Sequence, residues 1–148
     1  MRILMVGLDL NPPWVEGIRN TVREVSKQLI DRGHKVYILT KGYENQPKEE
    51  LIDGIKYYRI TIGKSGNGSK DYLAGTAHFF SHLPFEMRKV VRNERIDIIH
   101  GHSVYPILGA YYGMLTKNVS AKLAYTLYSS PKSRNSNSSY PAIMKVLD

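Results

Sequence analysis

Apolar positions along the chain form short continuous runs that are separated by segments with helical periodicity. Residues 2–8 and 35–40 are largely apolar runs, and residues 17–32 between them carry apolar side chains at spacings of four, three and four. That spacing places the side chains on one face of a helix, as packing on a sheet requires. Runs without polar alternation are typical of parallel strands covered on both faces. The pattern therefore predicts a βαβ unit at the start of the chain.

The rest of the chain continues the alternation of strands and helices. A strand rich in β-forming residues is predicted at residues 54–62, after a polar connection at 42–51. Residues 72–95 are predicted to be helical, with Pro84 ending one helix and starting another, because proline lacks the N–H that a helix interior needs. The further predictions are strands at 96–102 and 121–128, a flexible linker at 63–70, a helix-length connection at 103–117, a polar loop at 129–139 and the opening of a helix at 141–148.

Five strands separated by helices predict an α/β fold, a Rossmann-like three-layer sandwich whose doubly wound parallel sheet has the strand order 3-2-1-4-5. In this order strands 1 and 4 are neighbours, and their connections leave in opposite directions. Ligands bind outside the carboxyl ends of the strands at such a switch point. The predicted crevice therefore lies between the loop at residues 9–16 and the residues that end strand 4, His102 and Ser103.

Composition adds limits on class and compartment. The 148 residues fit one domain with a sizeable core. The absence of cysteine excludes a disulfide framework and a thiolate metal site, and it favours a reducing compartment. The longest apolar run, at residues 104–115, is too short to span a bilayer. We therefore expect a cytoplasmic protein.

The chain is basic, with 21 Lys+Arg against 13 Asp+Glu and a formal charge of +8. This excess favours anionic partners. Arg88, Lys89 and Arg92 lie opposite the apolar face of a predicted helix, and this face has two interpretations. It is a solvated basic surface, or it contacts anionic lipid headgroups and holds the protein peripherally on the inner membrane face. No nucleic-acid-binding module is found, and we expect no nucleic-acid partner.

His100 and His102 alternate on the fourth predicted strand and therefore share one face near its carboxyl end. A catalytic zinc site needs a third protein ligand, and the nearest carboxylate is Asp9. We expect no metal. Two other interpretations remain. In the first the pair is structural, with one histidine buried and hydrogen-bonded and the other at the rim. In the second His102 acts at the mouth of the crevice as a hydrogen-bonding or proton-transferring catalytic group.

Gly17 begins the first predicted helix, and Arg19 lies in its first turn. The glycine relieves crowding where loop meets helix, or it lets a phosphate approach the free N–H groups at the positive end of the helix dipole. The Gly-x-Gly-x-x-Gly signature of dinucleotide-binding dehydrogenases is absent. Residues 63–70 resemble a P-loop, but the Lys-Ser order that a P-loop needs is reversed.

The order and spacing of several motifs resemble the N-terminal domain of GT-B fold, retaining nucleotide-sugar glycosyltransferases of the family 4 type. This group includes lipid mannosyltransferases, sucrose synthases and glycogen synthases. The resemblance covers essentially the whole chain. The matching features are Asn11-Pro-Pro, Gly17, the amphipathic helix, Arg32-Gly-His34, Val36, Leu39-Thr40 and the strand Ile96-Asp-Ile-Ile-His-Gly-His102.

The resemblance implies two facing Rossmann-like domains with the active site between them. The N-terminal half holds the acceptor and the C-terminal half holds the nucleotide-sugar, which is a co-substrate, so no cofactor is expected. We therefore expect these residues to be the acceptor-side half, truncated before the donor-binding domain and inactive alone. The full enzyme would transfer a sugar to a lipid, a glycan or a small hydroxylated acceptor.

The resemblance also implies roles for individual residues. Gly17 fits the second glycine of a loop that approaches the donor diphosphate and acceptor, and Glu16 stands where many members have another glycine. We expect donor phosphate or acceptor contacts from Glu16, Gly17, Arg19, Ser103 and Tyr128. Tyr128 replaces the histidine of the family's Thr-x-His motif.

Two other classes of function are compatible with the residues. The first is a stand-alone flavodoxin-like binding module without transfer chemistry, which would bind no nucleotide-sugar. The second is a metal-dependent hydrolase built on the two histidines, which would carry equimolar zinc.

Overall fold

The computed structural model describes residues 1–12, 17–63, 69–103, 121–126 and 128. Within these ranges the chain forms six strands and two helices. In chain order the elements are β1 (Arg2–Val6), α1 (Gly17–Asp31), β2 (Lys35–Gly42), β3 (Glu49–Ile52), β4 (Ile55–Thr61), α2 (Ser69–Glu94), β5 (Ile98–His102) and β6 (Lys122–Thr126).

The strands form one sheet in the order β3-β4-β2-β1-β5-β6. Strands β4, β2, β1, β5 and β6 pair in parallel, and this confirms the predicted order 3-2-1-4-5. The central strand β2 is buried from Val36 to Gly42, as expected for a strand covered on both faces. The α/β, doubly wound class is therefore the observed one.

The two helices cover opposite faces of the sheet, which makes the third layer. Val22 of α1 packs with Met5, Ile38 and Tyr57 in one core cluster. Helix α2 packs on the other face, where it contributes a row of fully buried side chains to a second cluster. This row consists of Phe79, Leu83, Met87 and Val90.

The predicted helix break at Pro84 is wrong, because α2 runs through it without interruption. A proline in a helix interior costs about 3 kcal/mol through its missing N–H and ring clash. Burial of one large apolar side chain contributes about 1.5–3 kcal/mol. Leu83 and Met87, on either side of the proline, are both fully buried. Their burial outweighs the cost of the proline and keeps the helix continuous.

The predicted polar connection at residues 42–51 contains a strand that sequence reasoning missed. Strand β3 pairs with β4 in antiparallel fashion at the edge of the sheet. The two strands are joined by Asp53 and Gly54, which both have positive φ angles, 51° and 79°. Asp-Gly in a two-residue loop is the signature of a type I′ hairpin, and this signal was present in the sequence.

Several predictions lie outside the described residues. They are the connection at 103–117 beyond Ser103, the polar loop at 129–139, the helix opening at 141–148, and Glu16. The predicted linker is described only at its ends, and its last two residues belong to α2.

Candidate functional site

The predicted crevice falls where β1 and β5 end side by side. Val6, the last residue of β1, pairs with Gly101 of β5 in a parallel ladder, so both strands end at one edge of the sheet. His102 ends β5 at that edge. Ser103 then turns the chain out of the sheet with a φ of 74°. Its N–H donates to the carbonyl of Thr126, at 3.4 Å, so the turn is tied to β6.

His102 is buried at the mouth of this crevice, with 2% of its surface exposed. Its Nδ1 lies 2.8 Å from the hydroxyl oxygen of Tyr128, within hydrogen-bond distance. Its Nε2 is buried and has no hydrogen-bond partner among the described residues. A buried polar atom without a partner costs about 1–3 kcal/mol, so this nitrogen is a strong candidate for a contact with ligand.

Burial, reinforced by the neighbouring His100, lowers the pKa of His102 to about 3. Burial also lowers the pKa of His100. His102 is therefore neutral near pH 7, and the hydrogen bond to Tyr128 couples its tautomer to the phenol. When the Tyr128 hydroxyl donates to Nδ1, Nε2 carries the proton and can donate to an oxygen. When Nδ1–H donates to the phenol oxygen, Nε2 is a base.

His100 lies beside His102, with 4.2 Å between the ring centroids. Its Nε2 is 2.9 Å from the hydroxyl oxygen of Thr126 on β6. The two histidines of β5 thus contact neighbouring positions of the next segment. His100 contacts Thr126, the last residue of β6, and His102 contacts Tyr128, two residues further along the chain. Within the described ranges no group of three His, Cys, Asp or Glu side chains is placed to hold a metal ion.

Gly17 begins α1 in a left-handed conformation, with a φ of +57° that disfavours any side chain. A Cβ placed there would meet no atom of the described residues within 4 Å. The position therefore provides open space at the positive end of the helix dipole. Arg19 lies half-buried in the first turn. No described hydrogen bond or ion pair joins Gly17 or Arg19 to His102.

Sequence reasoning missed a buried polar bracket behind the crevice. The side chain of Arg59 on β4 is 2% exposed and forms an ion pair of 2.8 Å with Glu50 on β3. Its Nε donates to Asn11 Oδ1 at 2.8 Å, and its Nη1 donates to the carbonyl of Pro47 at 2.9 Å. A cation between Tyr58 and Ile60, in the middle of a strand, was the available signal. This arginine bracket, made of Arg59, Asn11, Glu50 and Pro47, ties the loop after β1 to the sheet edge.

The sequence matches the model of one protein family, described as Glycosyltransferase Family 4, over residues 15–141. That match includes α1, α2 and the crevice residues. The chain belongs to Glycosyltransferase Family 4. This confirms the resemblance drawn from the motifs, and the comparisons lend no support to a flavodoxin-like module.

Among curated members of Glycosyltransferase Family 4 and related proteins, the chain is similar to subunits of phosphatidylinositol N-acetylglucosaminyltransferases. It is 36% identical to the Homo sapiens protein over 104 residues, which are 70% of this chain and 20% of that protein. It is 33% identical to the gpi3 protein of Schizosaccharomyces pombe over 61% of this chain and 19% of that protein. The chain thus spans about a fifth of the length of these relatives.

Among solved structures, the chain resembles sucrose-phosphate synthase from Thermosynechococcus elongatus. The TM-score is 0.66 at 14% identity, and the match covers 90% of this chain and 36% of that one. This likeness supports the GT-B, Rossmann-like fold of the family. In the described part of this family member, neither helix is both long and apolar enough to cross a membrane.

Proposed function

We propose that this domain serves a glycosyltransferase that moves a sugar from a nucleotide-sugar donor to the hydroxyl of a lipid acceptor. The observation that carries the proposal is the family match over residues 15–141. The lipid acceptor is supported by the relatives whose names specify a phosphatidylinositol N-acetylglucosaminyltransferase.

The crevice supplies groups suited to this chemistry. Transfer needs a hydrogen-bonding or proton-transferring group within reach of the sugar or the acceptor hydroxyl. His102 offers Nε2, which has no described partner, while the Tyr128 phenol contacts the same ring through Nδ1. We assign Ser103 and Tyr128 to the same wall, where they contact the acceptor or the transferred sugar.

The start of α1 is suited to the anionic part of the donor. Free N–H groups and the helix dipole bind phosphate at such a position, and Gly17 leaves the approach open. Arg19 adds a cation in the first turn. We assign Gly17 and Arg19 to this donor-phosphate contact, and we assign Glu16, whose carboxylate would repel a phosphate, to the acceptor. The share of each relative that the chain spans fits an acceptor-side domain that works opposite a donor-binding domain.

The proposal predicts transfer to lipid by the natural protein that carries these residues. The protein is incubated with UDP-N-acetylglucosamine labelled in the sugar and with vesicles of phosphatidylcholine, with or without phosphatidylinositol. We expect label in the lipid fraction at least about ten-fold above background when phosphatidylinositol is present. Gly17→Ala should lower kcat/KM for the donor about ten-fold, because the new Cβ narrows the phosphate approach and strains the backbone.

Gly33→Ala is the matched control, since Gly33 also has a positive φ, +79°, and open space around it, but lies at the other end of α1. It should leave kcat/KM near the wild-type value. If the protein transfers sugar from GDP-mannose and not from UDP-N-acetylglucosamine, the proposed reaction class stands and only the identity of the sugar changes. No transfer from either donor, or equal losses in both glycine variants, would contradict the proposal.

We also infer that the protein works peripherally at a cytoplasmic membrane face, through the outer face of α2. This outer face consists of Phe85, which is 73% exposed, and the exposed cations Lys89 and Arg92. The apolar residues behind it are buried in the core and do not reach lipid. An exposed aromatic ring flanked by cations is suited to a surface of anionic headgroups.

The double variant Lys89→Gln/Arg92→Gln should weaken binding of the chain to phosphatidylserine-containing vesicles. Each cation near such a surface contributes about 1 kcal/mol, so the loss should be about thirty-fold at low salt. Co-sedimentation at two salt concentrations measures it. Arg23→Gln/Lys27→Gln removes the same charge from the exposed side of α1 and should have little effect. Equal loss in both double variants would show that net charge, and not this face, is responsible.

A further inference from the structure

Lys41 is a buried cation at the carboxyl end of β2, with 3% of its surface exposed. None of the ion pairs or hydrogen bonds in the described part of the chain involves its ammonium group. Instead, the Nζ atom lies over two phenol rings, 4.9 Å from the ring centroid of Tyr72 and 5.8 Å from that of Tyr43. An ammonium without an acidic partner, at the end of a buried side chain, keeps its capacity to bind an anion.

The backbone of Lys41 is held firmly at this edge of the sheet. Its carbonyl accepts a hydrogen bond of 2.6 Å from the side-chain amide of Asn11, which belongs to the arginine bracket. Its N–H donates to the carbonyl of Leu8 at 3.3 Å. The charge therefore projects from a fixed point, and a ligand would not have to order the backbone before binding.

Tyr72 lies in the first turn of α2, and the packing of that turn fixes its place over Lys41. Three residues later, Gly75 touches the end of β4 so closely that an added Cβ would lie 2.6 Å from Ile62 Cδ1. Only a glycine permits this approach without a shift of Ile62. The positive end of a 26-residue helix is thereby brought to the same place as the Lys41 ammonium.

The site is displaced along the sheet edge from His102. Strand β1 lies between β2 and β5, so the carboxyl ends of β2 and β5 are about 10 Å apart at the usual strand spacing. Lys41 alternates with Leu39 on the α2 face of the sheet, whereas His102 alternates with His100, which pairs with Met5 of the α1 face. An acceptor that reached both side chains would therefore pass over the carboxyl edge of the sheet. Asp71, the acidic residue in the first turn of α2, is exposed and forms no ion pair with Lys41 within the described ranges.

We propose that Lys41, Tyr43 and Tyr72 form a binding site for the phosphate group of the acceptor, with the first turn of α2 as its second wall. The assignment to the acceptor rests on the proposed transfer function. The binding of phosphate does not, because it depends on the ammonium, the two phenols and the helix end alone. The shared chemistry is a phosphate ester, from a lipid headgroup or from a soluble phosphate.

Titration of the 148-residue chain with inorganic phosphate and with myo-inositol 1-phosphate, followed by calorimetry or NMR, tests this site. We expect both to bind, the ester more tightly, with affinity that falls as salt rises. Lys41→Gln should weaken binding about ten-fold, and Lys41→Arg should retain most of it. The matched control is Lys35→Gln, which removes the same charge at the opposite end of β2 and should bind like the wild type.

Vesicles separate the sources of phosphate. Binding to phosphatidylinositol vesicles that exceeds binding to phosphatidylserine vesicles, and that Lys41→Gln abolishes, would support a lipid headgroup. Binding of soluble phosphate alone would support a soluble ester. The site is overturned if Lys41→Gln keeps its melting temperature and binds phosphate as well as the wild type, since Lys41 then serves only to dock α2. If Lys41→Gln abolishes phosphate binding and the natural protein transfers no sugar, the phosphate site stands and the transferase proposal is refuted.

Discussion

Replacement of Arg59 with methionine is expected to lower the free energy of unfolding by about 1–3 kcal/mol, which is the cost of leaving a buried hydrogen-bond acceptor without its donor. The guanidinium has 2% of its side-chain surface exposed, and its partners are Glu50, Asn11 and the carbonyl of Pro47. Methionine fills part of the volume but donates no hydrogen bond. The buried oxygen of Asn11 would therefore lose its partner.

Urea unfolding followed by circular dichroism measures this effect. Glu50→Gln is the informative companion, because 39% of the Glu50 side chain is exposed and water can replace part of what it loses. Glu50→Gln should lower the free energy of unfolding by about 1 kcal/mol. Arg23→Met is the control, because it removes a guanidinium that is exposed to solvent on α1. It should change the free energy of unfolding by less than about 0.5 kcal/mol. If Arg59→Met were as stable as Arg23→Met, the bracket would be incidental to stability.

Replacement of His102 with alanine is expected to lower kcat for sugar transfer by about two to three orders of magnitude, the usual effect of removing one preorganised hydrogen-bond donor. The reason is the Nε2 atom, which is buried at the mouth of the crevice and has no partner among the described residues. Single-turnover kinetics of the natural protein with labelled donor and lipid acceptor measure the loss. Donor binding, assigned to α1, should change little.

Tyr128→Phe tests how His102 is held. It removes the hydroxyl that lies 2.8 Å from Nδ1 and should lower kcat about ten-fold by releasing the tautomer. Because the pKa of His102 is about 3, its protonation should not shape the pH–rate profile between pH 5 and 8. His78→Ala, on the exposed side of α2, is the control and should leave kcat unchanged. A folded His102→Ala protein with wild-type kcat would exclude His102 from the chemistry.

The order of the parallel strands could be predicted because it depends on local patterns. Helical spacing in α1 and continuous apolar runs in β1 and β2 fix which faces are buried, and right-handed crossovers then leave few topologies. The position of His102 at the carboxyl edge follows from that topology. The motifs added the family, and the comparisons confirmed it.

The predictions that failed or were missing depend on contacts between distant segments. The continuity of α2 through Pro84 is decided by the core that receives its neighbours Leu83 and Met87. The ion pair of Arg59 with Glu50 needs the register of β3 on β4, and the predicted polar connection had no strand to provide it. The pairing of His102 with Tyr128 spans 26 positions. No periodicity within one segment carries such information.

The edge strand β3 has a consequence for how copies of this protein meet in a crowded cell. An exposed strand edge is a template on which another chain can add, and such addition is the usual start of aggregation. Here the edge is four residues long and begins with Glu49 and Glu50, and Glu49 lies 3.5 Å from the ammonium of Lys56 on β4. Because β3 is short and charged, this edge of the sheet is a poor template for strand addition. We therefore expect the β3–β4 hairpin, which sequence reasoning missed, to limit aggregation of the domain.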